Sequence, residues 1–216
     1  MSDLLEAISV HRQALKLAPD EHPSLATKLD NLATSIESLF EHTGSIDCLS
    51  EAISLRRQAV QLTSEGHISL PAKLNNLGSS LQNLFEHTGV TNDLSEAISV
   101  HRQAVKLIAD GSPDLPSRLH NLGNSLESLF KHTQVTTDLA EAISTQRQAI
   151  QLTPHGHPNL PSRLEAIGKL FEMMFYQSHN HSDIKSALSV YKLAATSNFG
   201  PALDRIFAAK QWAQCL

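Results

Sequence analysis

The residues Glu6-Ala7-Ile8-Ser9 return unchanged as Glu51-Ala52-Ile53-Ser54, Glu96-Ala97-Ile98-Ser99 and Glu141-Ala142-Ile143-Ser144, each step spanning 45 residues. A weaker copy, Ser186-Ala187-Leu188-Ser189, falls in the same phase. A second block keeps the same period: Leu39-Phe40, Leu84-Phe85, Leu129-Phe130 and Met174-Phe175. A fixed period of this size marks stacked structural units, and every unit here carries two blocks.

Both blocks read as helices. In Asp93 to Leu107 the apolar positions Leu94, Ala97, Ile98, Ala104 and Val105 fall mostly three, four or seven apart, the spacing of a helical stripe; this block is helix B. Asp93 with Glu96 three residues later has the form of a capping box and recurs as Asp3/Glu6 and Asp138/Glu141. Cys48 stands at the matching place of the second copy, so Asp47 is expected to cap there with a shifted start. The other block, Leu70 to Thr88, carries Leu70, Leu74, Leu77, Leu81, Leu84 and Phe85 and is helix A. It is preceded by Ser24, Ser69, Asp114 or Asn159, all good N-caps, with Pro71, Pro116 and Pro161 in the first turn, where a missing N–H does little harm. Neither helix is stable alone, and stacking buries the stripes of both. The expected fold is therefore all-α, with tandem helix-turn-helix repeats stacked as a right-handed α-solenoid. The expected boundaries are an array over 1–197, made of a half repeat 3–17 and helix pairs 25–62, 70–107, 115–152 and 160–197, then a capping or linker helix over 198–216.

Composition narrows the function classes. The chain has 216 residues, 41% of them hydrophobic, and a net charge of -5, so it lacks the positive field that attracts nucleic-acid phosphate or anionic lipid. No apolar run approaches membrane-spanning length, and the start Met1-Ser2-Asp3 has no signal-peptide pattern, which points to a cytoplasmic address. Cys48 and Cys215 are too few for a disulfide framework and lack zinc-site spacing.

Within each unit the spacing resembles the tetratricopeptide repeat (TPR), which places Leu-Gly and a large residue on helix A and two small residues seven apart on helix B. The match is Leu77-Gly78 with Leu81, then Ala97 and Ala104, and again Leu122-Gly123 with Leu126, then Ala142 and Ala149. Two lengthened loops are expected to extend the 34-residue signature to 45. His22-Pro23-Ser24-Leu25 leading into Leu29-Asp30-Asn31-Leu32 is similar to the helix entry of kinesin-light-chain-type repeats, and the long unit resembles repeats upstream of caspase-like CHAT domains in large fungal proteins. In those proteins an amphipathic segment follows the last repeat, and Gly200-Pro201 through Trp212 looks similar. The array opens on a helix B with no helix A before it, as a piece of a longer array would.

Enzymatic motifs do not emerge. There is no Gly-rich phosphate loop, serine elbow or paired-carboxylate motif, and no catalytic, cofactor-binding or metal-ligating residue is assigned. Most of the twelve histidines follow the repeat: His42, His87 and His132 end A helices, while His22, His67 and His157 lie in the loops before them. A favourable side chain near a helix C-terminus explains the first row. Spacing alone sets apart His155-x-His157 and His179-x-His181, and each pair lacks further ligands. Two basic rows, Lys28/Lys73/Arg118/Arg163 and Arg12/Arg57/Arg102/Arg147, recur in every unit and are expected to serve stacking or ion pairing. Individual function belongs where copies differ.

The resemblance implies that helix A lines a binding groove. That groove would present Asp30, Asn75, His120 and Glu165 in one row, Asn31, Asn76, Asn121 and Ala166 in the next, and Thr34, Ser79, Asn124 and Lys169 farther along. Asn75, Asn76, Ser79, His120, Asn121 and Asn124 are the candidate partner-binding residues, suited to hydrogen-bonding an extended peptide. The family's carboxylate clamp is not reproduced, because asparagine or histidine replaces its lysine. The expected function is a protein–protein interaction scaffold binding a protein or peptide, without nucleic acid, membrane or cofactor. The alternative is a structural or regulatory repeat segment of a larger signalling protein with a CHAT effector. Leu4, Ile8, Ala14 and Leu17 on the unpaired first helix raise self-association as a further expectation.

Overall fold

The computed structural model describes residues 2–17, 24–109 and 111–214. Among them lie ten helices: α1 (Ser2–Lys16), α2 (Leu25–Thr43), α3 (Ile46–Gln61), α4 (Leu70–Thr88), α5 (Thr91–Leu107), α6 (Leu115–Thr133), α7 (Thr136–Gln151), α8 (Leu160–Ser178), α9 (His181–Ala195) and α10 (Ala202–Gln214). The fold is all-α, a tandem of helix-turn-helix repeats of the solenoid class. The chain divides into two compact units, Met1–Ile108 and Ala109–Leu216.

In the first unit α1 packs on α2, and the hairpins α2/α3 and α4/α5 stack through α3 and α4. Its largest core gathers Phe40, Leu49, Ile53, Leu74, Leu77 and Leu81 with Ala97 and Ala104. In the second unit α6/α7 and α8/α9 stack through α7 and α8, and α10 lies against α9 and α8. In both units the two small positions of helix B, Ala52/Ala97/Ala142/Ala187 and Ala59/Ala104/Ala149/Ala194, are fully buried. Side chains no larger than a methyl let paired helices approach closely, while leucine and phenylalanine fill the remaining volume.

Helix A ends the same way in every hairpin. A left-handed residue, Gly44, Gly89, Gln134 or His179, returns its N–H to the carbonyl of Phe40, Phe85, Phe130 or Phe175 at 2.7–2.8 Å. Glycine adopts this conformation without steric cost; Gln134 and His179 hold it with φ of 59° and 53°. Helix B then starts after a connection of only two residues. The expected lengthening of the A–B loop is thus corrected: the seven added residues extend α4 and α5 themselves, amounting to about two turns. Only the B–A connections are longer loops, and they turn on Gly66, Gly111 and Gly156.

The helix starts differ from expectation. Ser24, Ser69, Asp114 and Asn159 stand at the N-cap of helix A, yet none makes a side-chain cap. In two hairpins the preceding loop supplies order instead, as His67 Nδ1 accepts the N–H of Ser69 and His157 Nδ1 that of Asn159, both at 3.1 Å. His22 lies outside the described residues. The capping boxes of helix B are corrected as well: Val90 and Val135 take the N-cap of α5 and α7, which places Asp93 and Asp138 inside the first turn. There Asp138 accepts from the Thr133 hydroxyl at 3.1 Å, and Asp183 accepts from Ser178 at 2.9 Å, tying the end of helix A to the start of helix B. Likewise α3 starts at Ile46, so Asp47 lies in the first turn and Ser45 holds the cap position. Finally, Ile8 of α1 is buried against Leu32, Ala33 and Ile36, and Leu4 and Ala14 are partly covered, leaving Leu5, Val10 and Leu17 as its exposed apolar residues.

Candidate functional site

One position of helix B varies among the copies, with His11, Arg56, His101, Gln146 and Tyr191 giving four residue types in five copies. The last four are buried. Three of them lie flat against a glycine of their own helix A, and a Cβ on Gly78, Gly123 or Gly168 would come within 2.7 Å of His101, 2.7 Å of Gln146 or 2.4 Å of Tyr191. Glycine is required there by close approach. The first hairpin has Ala33 at the matching place.

Arg56 organises the polar heart of the first unit. Its Nη1 lies 2.8 Å from Glu37 Oε2 and donates to the Ser80 hydroxyl and, at 3.3 Å, to the carbonyl of Asn76. Its Nε is 3.6 Å from Asp30 Oδ1, and Nη2 reaches Thr34 Oγ1 at 3.4 Å. Ser80 donates to Glu37 at 2.8 Å, and Asn76 donates to Asp30 at 3.2 Å. The arginine, 4% exposed, therefore clamps α2 to α4 from α3. Two carboxylates against one guanidinium leave this patch acidic.

Gln146 holds the same position in the second unit without charge, and its bonds run to α6 of its own hairpin. Its Nε2 donates to the His120 carbonyl at 3.2 Å and to Asn124 Oδ1 at 2.9 Å, while His120 Nδ1 lies 3.0 Å from Gln146 Oε1. Burial pushes the His120 imidazole below its ordinary pKa, outweighing the opposing hydrogen bond from Gln146. His120 is thus held neutral inside an amide network.

The residues expected to line a groove separate on this basis. Asn75, 5% exposed, points inward. Asn76 is half-buried on Asp30, His120 and Asn124 are half-buried around Gln146, Asn121 is half-buried, and Ser79 is exposed. Arg56 and Gln146, on helix B, organise these side chains and were absent from the expected site. The signal that finds them is the column in which the copies disagree.

Several members of the recurring basic rows serve structure. Arg12 pairs with Glu51 at 2.8 Å and Arg57 with Glu96 at 2.7 Å, so consecutive B helices are linked by an exposed arginine–glutamate ladder. In the other row Lys73 Nζ reaches the Ala26 carbonyl at 3.5 Å, and Arg163 donates to Thr153 and, at 2.9 Å, to Ser117. His42 and His87 bond the carbonyls of Ser38 and Asn83 one turn back. Among the described residues no three histidine, cysteine or acidic side chains converge as a metal site, and no helix is long and apolar enough to cross a membrane. Cys48 is partly buried in the core; Cys215 lies outside the described residues.

No family model and no curated protein matches this chain. Solved structures do. Nearly identical TPR-like repeats assigned to a kinesin light chain of Podosopora anserina superpose with a TM-score of 0.62 at 16% identity, covering 91% of this chain and 90% of that one. MamA gives 0.59 at 18% identity over 90% and 92% of the two chains, and Pseudomonas aeruginosa pilF gives 0.63 at 18% identity over 99% and 82%. At these identities the likeness establishes a tetratricopeptide-like fold.

Proposed function

We propose that this chain is a protein-interaction scaffold that takes a peptide or a protein surface on its A helices, through Asn76 and Ser79 in the first unit, with Asn75 shaping the floor from within, and through His120, Asn121 and Asn124 in the second. The observation that carries this reading is the contrast between constant and changing positions. The small residues of helix B are buried in every hairpin, whereas on helix A the rows of Asp30, Asn75 and His120 and of Thr34, Ser79 and Asn124 change between copies beside a row, Asn31, Asn76 and Asn121, that keeps its amide. Amides held in place by such networks lose little freedom on meeting a ligand backbone. The reading needs no cofactor and no catalytic group, and it suits a cytoplasmic protein.

The test is a pull-down from the source cell's lysate using the intact chain and a Ser79→Glu/Asn121→Glu variant of equal helicity. A partner that stays only with the intact chain supports recognition on helix A. Identical profiles count against it. A second reading, a regulatory segment of a larger protein with a CHAT effector, draws on α10, where Leu203, Ile206 and Phe207 are exposed along the helix. It predicts that a separately expressed effector domain protects these residues from oxidative footprinting. Self-association through Leu5, Val10 and Leu17 predicts a light-scattering mass that rises with concentration.

A further inference from the structure

The arginine–glutamate ladder has a rule. The helix B arginine meets a glutamate 39 positions later, as in Arg12–Glu51 and Arg57–Glu96. For Arg147 that position is Ser186, whose hydroxyl instead donates to the Ser182 carbonyl at 2.9 Å. The residue beneath the arginine changes too: Leu81 at the matching place of the first unit becomes Phe171. The guanidinium carbon of Arg147 sits 5.3 Å from the centre of that ring, and among the described residues no carboxylate oxygen pairs with its nitrogens within 4.0 Å.

Stacking on a ring uses the face of a guanidinium and leaves its N–H donors, which lie in the plane, directed away from the ring. Beside the exposed Arg147 lies an open groove of about 690 Å³ between α7, α8 and the start of α9. Ile143, Phe171 and Met174 give it apolar lining, Gln148 and Gln151 offer amides, and Asp183 also lines it.

We propose that this groove binds an acidic segment of a partner protein, whose glutamate or aspartate carboxylate takes the place on Arg147 that Glu96 holds on Arg57, with a neighbouring apolar side chain against Ile143 and Met174. The complementary chemistry is already present in this molecule: Glu96 receives Arg57 Nε at 3.0 Å and Nη2 at 2.7 Å, a two-pronged geometry that arginine offers and a point charge does not. Asp183 and the chain's net charge of -5 oppose polyanions, so a single carboxylate on a peptide fits better than nucleic acid. The surface lies on the B-helix ladder, and its occupancy is independent of the helix A reading above.

The test selects random dodecapeptides displayed on phage against the intact chain, with counter-selection on Ser186→Glu, which supplies the missing acid from within. Selected peptides are expected to share an aspartate or glutamate beside an apolar residue. By fluorescence polarisation each should lose at least about tenfold in affinity on Arg147→Gln, on Ser186→Glu, and when its own acid becomes an amide. Ser79→Glu should leave affinity unchanged. Thermal midpoints of all variants establish that the fold is kept. Failure to enrich acidic peptides, or peptides that bind Arg147→Gln or Ser186→Glu as well as the intact chain, overturns the proposal and leaves helix A recognition standing.

Discussion

Replacing Gly168 with alanine should destabilise the second unit, and removing the Tyr191 ring should reverse the sign of that effect. The added Cβ would lie 2.4 Å from Tyr191 Cε1, 2.7 Å from Cζ and 2.8 Å from Cδ1. Carbon atoms rest about 3.5–4.0 Å apart, so the ring must retreat by roughly 1 Å, and it is fully buried. Overpacking a filled core costs about 1–3 kcal/mol, and a displacement of this size on a rigid ring belongs near the upper end. Alanine in place of glycine inside a helix returns about 0.8–1.0 kcal/mol, leaving a net loss of about 2 kcal/mol. In a Tyr191→Ala background the collision is gone and only the helical gain remains, so Gly168→Ala should stabilise by about 1 kcal/mol, a coupling of about 3 kcal/mol. Urea unfolding of the four proteins, followed by far-ultraviolet circular dichroism, measures it. Equal losses in both backgrounds, or no loss in the native one, would refute the packing argument.

Arg56→Met should cost about 3 kcal/mol because it strands Glu37 and Asp30 beside a partly buried pocket, whereas Arg57→Met, which breaks the exposed pair with Glu96, should cost less than about 1 kcal/mol; midpoints of chemical unfolding separate the two. His120, held below its ordinary value of 6.5 chiefly by burial, contributes stability that is fully present above that value. As pH falls below about 6.5 the unfolded chain takes up the proton first, so stability should decline by at most about 1.4 kcal/mol per pH unit, and His120→Asn should flatten that part of the curve. His179→Gly relieves a left-handed backbone and should stabilise by about 1 kcal/mol, read as a thermal midpoint about 2–4 °C higher.

The period and the paired helical stripes were legible because every copy repeats them, and repetition is what a single sequence displays best. The helix B capping boxes misled because Asp93 suits a cap locally, while the two-residue connection Gly89-Val90 makes the helix begin earlier. The seven residues added between Leu81 and Ala97 look like loop in sequence, yet two turns of helix preserve the buried face equally well. Arg56 and Arg57 are neighbours of one type, and only the three-dimensional placement of Asp30, Glu37 and Ser80 makes the first a buried clamp and the second a surface partner. The expected groove residues were read from helix A alone, so the helix B side chains that hold them remained out of view.

The glycine contacts of Gly78 with His101, Gly123 with Gln146 and Gly168 with Tyr191 each fall inside one hairpin. Unequal recombination that deletes or duplicates a whole 45-residue unit carries both members of such a pair together, so array length can drift in evolution without breaking a close fit. The Arg56 clamp is different, since its partners Ser80 and Asn76 belong to the following hairpin. Inserting a copied unit at that junction would set the arginine against a different helix, so a rearrangement at the α3/α4 seam is expected to cost more than one that moves a whole hairpin with its glycine pair.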